Sequence, residues 1–127
     1  MRPVNLFLTE DGVLKLGYYG LITQAECYSI KKMDCDGIRS FAPEVFKGKF
    51  KMKSDVWSFG TVLMEMMGMV PYASHSNHRL PIKKGKYYFP FYIGDIKSEE
   101  LLDFLMQCFK RVEERWSVKE LLIVSVM

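Results

Sequence analysis

Side chains that could bind a metal ion or a charged partner occur at two places in the 127-residue sequence. His75 and His78 form an H-x-x-H pair, but the three cysteines contain no C-x-x-C pair that could complete a zinc site. Because structural zinc needs four ligands, we interpret this segment as a polar loop. Four lysines alternate with other residues earlier in the chain: Lys47, Lys49, Lys51 and Lys53. This run predicts either a solvated loop or a docking patch for an acidic partner.

Charge and composition narrow the class of protein. Eighteen basic and 15 acidic residues give a net charge of +3, which is too small an excess to argue for nucleic acid. Apolar residues make up 49% of the chain, as in one globular domain. An odd number of cysteines without close pairing indicates reduced thiols. No signal peptide is visible, and the apolar stretches at 61–71 and 121–127 are too short to span a bilayer. We therefore expect a cytoplasmic protein with no nucleic-acid or membrane partner.

The elements that must position these side chains begin with a hairpin. Two short apolar runs, 5–8 and 13–16, flank a turn that contains Asp11 and Gly12. From residue 21 to residue 39 no hydrophobic period is sustained, so we expect a long irregular loop.

Three helices follow in the predicted order. Ser54 is expected to cap a helix that is apolar on almost every face, is buried all round and ends at Gly68 and Pro71. Ser98 is expected to cap a second helix with one apolar stripe. Residues 117–120 form a capping-box pattern that starts a final helix.

Five motifs in this order resemble the C-terminal lobe of a eukaryotic protein kinase domain. They are P-V-N-L-F-L at 3–8, G-Y-Y-G at 17–20, F-A-P-E at 41–44, S-D-V-W-S-F-G at 54–60 and E-E-R-W-S at 113–117. The resemblance implies a mainly α fold with a small β-hairpin, truncated on its N-terminal side. Residues 1–127 would form the partial domain and 21–41 an activation-segment-like loop. The residues of these motifs resemble those of Ser/Thr kinases, in particular the Ste20-like group, more than those of tyrosine kinases.

The resemblance also implies ATP and Mg²⁺ as cofactors of the family. Asn5 matches the family asparagine that helps to hold magnesium, and Phe7 matches a position under the adenine ring. Tyr18 stands where the family has the metal-binding aspartate of D-F-G, and a phenol is a poor magnesium ligand. The catalytic aspartate lies outside the chain. We therefore expect a pseudokinase-like chain that is inactive as written.

Structural roles are implied for five further residues. The resemblance pairs Arg115 with Glu44, which would tie the activation segment to the lobe. The Asp55 carboxylate is expected to be buried and to accept backbone N–H groups of the catalytic loop. Trp57 belongs to the same buried motif, and Met66 matches a position that supports the adenine side of the core. Three hydroxyls of the 21–41 loop are possible phosphate acceptors: Thr23, Tyr28 and Ser29.

Two explanations of so short a kinase-like chain follow from these motifs. The sequence is either an incomplete product of a longer protein, which would be an active Ser/Thr kinase or a pseudokinase, or a lobe that works alone as a non-catalytic binding scaffold. In the second case an apolar face near Phe7, Tyr19 and Leu21 would be exposed, and such faces tend to bind partners. We expect a protein partner, either the missing N-lobe or a signalling protein.

Overall fold

The computed structural model describes residues 1–17, 39–71, 90 and 93–126. Predictions for Tyr18, Tyr19 and Leu21, for the acceptor hydroxyls and for the two histidines lie outside these residues. Within them the fold is mainly helical with one two-stranded antiparallel sheet, which confirms the predicted fold class.

The hairpin forms close to where the apolar runs predicted it. Strand β1 is Leu6–Leu8 and strand β2 is Leu14–Leu16, with Phe7 opposite Lys15. Gly12 in the connecting turn has φ of 78°, a left-handed conformation that favours glycine. A short 3-10 helix, Pro3–Asn5, precedes β1. Most side chains of both strands are exposed, so the hairpin is attached to the core rather than part of it.

Helix α1, Met52–Met66, has Lys51 as its N-cap and therefore begins three residues earlier than the sequence predicted. Ser54 is therefore not the N-cap but the third helical residue, and its hydroxyl accepts the Lys51 backbone N–H at 3.1 Å. That hydrogen bond satisfies a backbone donor at the start of the helix. In a capping box, the side chain of the third helical residue normally makes this hydrogen bond to the N-cap N–H.

The expectation that α1 is buried all round is wrong at its end. Trp57, Val62 and Met64 are buried, but Met66 is 75% exposed and Glu65 is also exposed. Met66 is thus outside the core that it was expected to support. The reason is the helical period: Met66 is two residues from the buried Met64 and therefore lies on the opposite side of α1.

Helix α2, Glu99–Cys108, packs against α1. Ser98 caps α2 as predicted, because its hydroxyl accepts the Leu101 N–H at 3.2 Å. The two helices approach closely at Gly60, where an added Cβ would lie 2.7 Å from the Phe109 ring. A glycine is therefore required at this crossing.

Helix α3, Val118–Val126, closes the described fold. The predicted capping box is present, since the Ser117 N–H donates to Glu120 Oε2 at 2.6 Å. The core cluster that α1, α2 and α3 share with the segment before α1 consists of Ala42, Val45, Val56, Trp57, Met64, Leu105, Cys108, Phe109 and Leu121. Among the described residues, no helix has the length and apolar content needed to cross a membrane.

Candidate functional site

A buried ion pair joins the segment before α1 to the segment before α3. The Arg115 guanidinium donates to both carboxylate oxygens of Glu44, from Nη1 to Oε1 at 2.6 Å and from Nη2 to Oε2 at 3.1 Å. Both residues are buried, and they are 71 positions apart in sequence. The structure thus brings together the two residues that the kinase resemblance paired.

Neutral groups complete the surroundings of this pair. Ser54 Oγ donates to Glu44 Oε1 at 2.8 Å, which adds a third donor to the carboxylate. Arg115 also donates to the backbone carbonyls of Lys53, at 2.8 Å, and Lys110, at 3.0 Å. Its guanidinium carbon lies 5.0 Å from the centroid of the Trp57 ring. The charged groups are therefore desolvated but well supplied with partners, which is the condition under which a buried pair is tolerated.

The electrostatic balance of Glu44 favours its ionised form. Burial by itself would raise the pKa of the carboxyl, but the hydrogen bonds from Arg115 and Ser54 and the Arg115 charge outweigh burial. The pKa of Glu44 is therefore below its usual value of 4.5. At neutral pH the pair is a stable structural element with no proton to transfer.

Asp55 is exposed, so the burial expected for its carboxylate is not found. Among the described residues, no backbone N–H donates to it. The Met1 amino group lies within reach of its charge: burial lowers the pKa of that amine, and Asp55 raises it in part. A carboxylate without backbone donors would be costly to bury, and its exposure is consistent with that cost.

Two cavities open on the described surface. One, of about 290 Å³, is almost entirely apolar and has Met1, Asp55, Phe59, Phe104 and residues of α3 in its wall. The other, of about 350 Å³, is lined by Arg2, Arg39, Glu65, Val70 and residues near them. Asn5 and Phe7, the residues predicted for nucleotide binding, line neither of these two cavities.

The hairpin presents those two residues. The backbone carbonyl of Asn5 accepts the Gly17 N–H at 2.8 Å, which anchors the start of β1 to the end of β2. The Phe7 ring covers Gly17, where an added Cβ would lie 2.6 Å from the ring edge. Phe7 is nevertheless 58% exposed. The hairpin therefore offers a small exposed apolar surface, the Phe7 ring, two residues along the chain from Asn5.

By themselves, Asn5 and Phe7 do not supply a complete site for Mg-ATP. Magnesium prefers several oxygen ligands, usually including carboxylates. Asn5 offers one neutral oxygen, and the position expected to carry the metal-binding aspartate is Tyr18, which lies outside the described residues. In the part of the chain that the structure describes, no group of three or more histidine, cysteine or acidic side chains could hold a metal ion.

Sequence reasoning missed the neutral members of the ion-pair cluster. The sequence pattern predicts a helix cap at Ser54, whereas its hydroxyl bridges the Lys51 backbone and the Glu44 carboxylate. A serine at the start of a helix signals a capping role equally well from the N-cap and from the third position. The carbonyls of Lys53 and Lys110 carry no sequence signal, because every residue has one.

Comparison with known proteins agrees with the motif pattern. A family model described as protein tyrosine and serine/threonine kinase matches residues 1–124. The tyrosine-protein kinase Src64B of Drosophila melanogaster is 32% identical in an alignment of 126 residues that covers 87% of this chain and 21% of that protein. The serine/threonine-protein kinase Nek9 of Xenopus laevis is 36% identical over 69 residues, which are 53% of this chain and 7% of that protein.

A third relative is the mitogen-activated protein kinase kinase kinase 1b of Physcomitrium patens. It is 28% identical over 113 residues, which are 87% of this chain and 15% of that protein. The chain therefore spans about a fifth or less of the length of these relatives. They include both tyrosine and serine/threonine kinases, so the similarity extends across both classes.

Proposed function

Because the chain belongs to the protein tyrosine and serine/threonine kinase family, we propose that it acts as a non-catalytic, kinase-like C-lobe that binds a protein partner. The observation that carries the proposal is the incomplete nucleotide site. Asn5 is the one family metal ligand retained, and Tyr18 replaces the other. Phosphoryl transfer depends on positioned metal ions and a clamped nucleotide.

Further support comes from what the 127 residues contain. The motifs that are present contribute to the helical scaffold rather than to catalysis. They are A-P-E at 42–44, S-D-V-W at 54–57 and Arg115. An exposed Phe7 and its neighbours on the hairpin offer apolar surface to a partner. A cytoplasmic location is part of the proposal.

A second candidate function follows from the share of the relatives that the chain covers. The chain covers about a fifth or less of the length of the three relatives, which is also expected of a segment of a longer kinase or pseudokinase. A Ser/Thr specificity of the Ste20-like type belongs to this second candidate. Tyr18 would then be the position that decides activity.

The test is thermal unfolding of the 127-residue chain with ATP, in the presence and absence of Mg²⁺. A nucleotide at about 100 times its Kd would stabilise the folded state by about 2.7 kcal/mol, which is readily measured. We expect no magnesium-dependent rise in Tm. The Asn5→Ala variant is the matched control, because it removes the retained carboxamide from the surface of the hairpin.

Two results would contradict the proposal. One is a magnesium-dependent rise in Tm that Asn5→Ala abolishes. The other is phosphoryl transfer by the Tyr18→Asp variant, since restoring one metal ligand should not replace the catalytic groups that this chain does not contain.

A further inference from the structure

A strip of alternating lysines precedes and enters α1. The lysine strip is residues 47–53, with the sequence K-G-K-F-K-M-K and no acidic residue. Lys47, Lys49 and Lys51 are exposed. In the described part of the chain none of these three ammonium groups forms an ion pair, and the nearest preceding acid, Glu44, is occupied by Arg115. Lys47, Lys49 and Lys51 are therefore a group of positive charges without a paired acid among the described residues.

The backbone of the lysine strip is held by hydrogen bonds to Glu44, Ser54 and Arg115, the residues of the buried ion-pair cluster. The Lys49 N–H donates to the Glu44 carbonyl at 3.0 Å, and the Lys51 N–H donates to Ser54 Oγ at 3.1 Å. Farther along, the Lys53 carbonyl accepts from Arg115 at 2.8 Å. Gly48 turns the chain with φ of 71°. A fixed backbone loses little conformational freedom when a partner binds, so the strip is already organised as a docking surface.

Apolar side chains are exposed within the same strip. Phe50 is 42% exposed and Met52 is 92% exposed, each between two lysines. Single exposed apolar residues are ordinary on protein surfaces. Here two of them lie next to charged side chains on a fixed backbone, so a ligand bound along the strip has both charged and apolar side chains within reach.

We propose that the lysine strip binds an acidic peptide segment of a partner protein, one in which Glu or Asp alternates with apolar residues. The carboxylates would lie against Lys47, Lys49 and Lys51, and the apolar side chains against Phe50 and Met52. This inference rests on the proposed function of the chain as a binding module and names the chemistry of its partner.

Acidic side chains beside the strip favour a narrow peptide over a flat anionic membrane. Arg115 contacts the Lys53 carbonyl, and Glu113 and Glu114 directly precede Arg115 in sequence and are exposed. Glu120 is also near: hydrogen bonds to Ser117 are the main reason that its pKa is lowered, and the charge of Lys53 adds to them. A planar anionic surface would meet these carboxylates, whereas an extended peptide lies along the lysines alone.

The experiment measures binding of a fluorescein-labelled peptide of alternating Glu and Leu by anisotropy. The test variant is Lys47→Gln/Lys49→Gln/Lys51→Gln. The matched control is Lys15→Gln/Lys97→Gln/Lys119→Gln, which removes three other exposed lysines and therefore the same total charge. We expect the strip variant to bind about tenfold more weakly and the control to bind like the unmodified chain. Binding should weaken as salt rises from about 0.05 to 0.5 M.

Two further measurements separate the charged and apolar parts. A peptide with Gln in place of Glu should bind much more weakly, because it cannot pair with the lysines. The Phe50→Gln/Met52→Gln variant should also lose affinity, because it removes the apolar contacts and leaves the charges. Thermal unfolding of each variant shows that the fold is retained, as expected for exposed positions.

Several results would overturn the inference. They are equal loss of affinity in the strip variant and its control, equal binding of the Glu and Gln peptides, and no binding of the Glu peptide by the unmodified chain. Strip-dependent binding to phosphatidylserine vesicles without binding to the peptide would overturn it in favour of a membrane. The proposed function fails separately, through a magnesium-dependent response to ATP, which the lysine variants do not affect.

Discussion

Replacement of Arg115 by alanine should destabilise the fold severely. Arg115 is 1% exposed, and its guanidinium is the cation that balances the buried Glu44 carboxylate. Without it, one hydroxyl donor remains on that carboxylate, from Ser54 at 2.8 Å. Breaking a buried pair by removing one partner costs about 3–5 kcal/mol, mainly because the other charge is left uncompensated. For a domain with total stability of about 5–15 kcal/mol, that loss is large.

Smaller losses act in the same direction. The carbonyls of Lys53 and Lys110 lose a charged donor, and the Trp57 ring loses the cation that lies 5.0 Å from its centroid. Water that enters the cavity left by the side chain can replace part of these hydrogen bonds. The uncompensated carboxylate therefore accounts for most of the destabilisation, and we expect the free energy of unfolding to fall by about 3–5 kcal/mol.

The assay is urea unfolding followed by the fluorescence of Trp57 and Trp116. Arg111→Ala is the matched control, because Arg111 is an exposed arginine four residues away. It should change the free energy of unfolding by less than about 0.5 kcal/mol. If Arg115→Ala does not fold, Arg115→Lys gives a measurable intermediate case, since lysine keeps the charge but not the two-pronged geometry.

A double variant isolates the physical cause. Replacing both charges by apolar residues, as in Glu44→Leu/Arg115→Met, leaves no unpaired ion, so this variant should be more stable than Arg115→Met alone. The reasoning is refuted if the double variant is as unstable as the single one, or if Arg115→Ala costs less than about 1 kcal/mol.

Three further predictions concern the same fold. The pKa of Glu44 is below 4.5 in the folded state, so the stabilising contribution of its carboxylate is complete above pH 4.5. That contribution is lost as the pH falls through the pKa of the folded state. In urea unfolding, Glu44→Gln should remove this part of the pH dependence of the free energy of unfolding. Gly60→Ala should lower the free energy of unfolding by about 1–3 kcal/mol, because the alanine Cβ would lie 2.7 Å from the Phe109 ring. A neutral or stabilising result would contradict this and would mean that α2 can move away from α1. Burial raises the pKa of the Cys108 thiol to about 12, so the thiol is unreactive in the folded protein at pH 7. In a variant with Cys27 and Cys35 replaced by serine, a thiol reagent should therefore react with Cys108 only as fast as the protein unfolds. Rapid reaction in the native state would contradict this prediction.

Local patterns in the sequence predicted much of the fold. The hairpin follows from two apolar runs around Gly12, and the starts of α2 and α3 follow from Ser98 and Ser117. These features depend on backbone geometry and on side chains within four residues of each other. Interactions of that range are encoded in short stretches of sequence, so their prediction does not require the tertiary fold.

Features that depend on distant partners were harder to predict. The hydroxyl of Ser54, a predicted cap, is shared with a carboxylate ten residues away. Asp55 was expected to be buried, and it is exposed; among the described residues no backbone N–H donates to it. Met66 was expected to support the core, and it is exposed because it lies on the side of α1 opposite to the buried Met64.

Motif spacing and hydrophobic period are properties of the chain alone, and they were enough to establish the family, the mainly helical class and the order of the elements. The folded structure was needed to show which polar groups surround the buried Glu44–Arg115 pair and which residues of α1 meet solvent. It was also needed to show that the lysine strip is a fixed surface rather than a free loop, since its backbone hydrogen bonds lead to that pair. The physical reason is that burial and hydrogen-bond partners depend on residues as far as 71 positions apart, and folding alone brings them into contact.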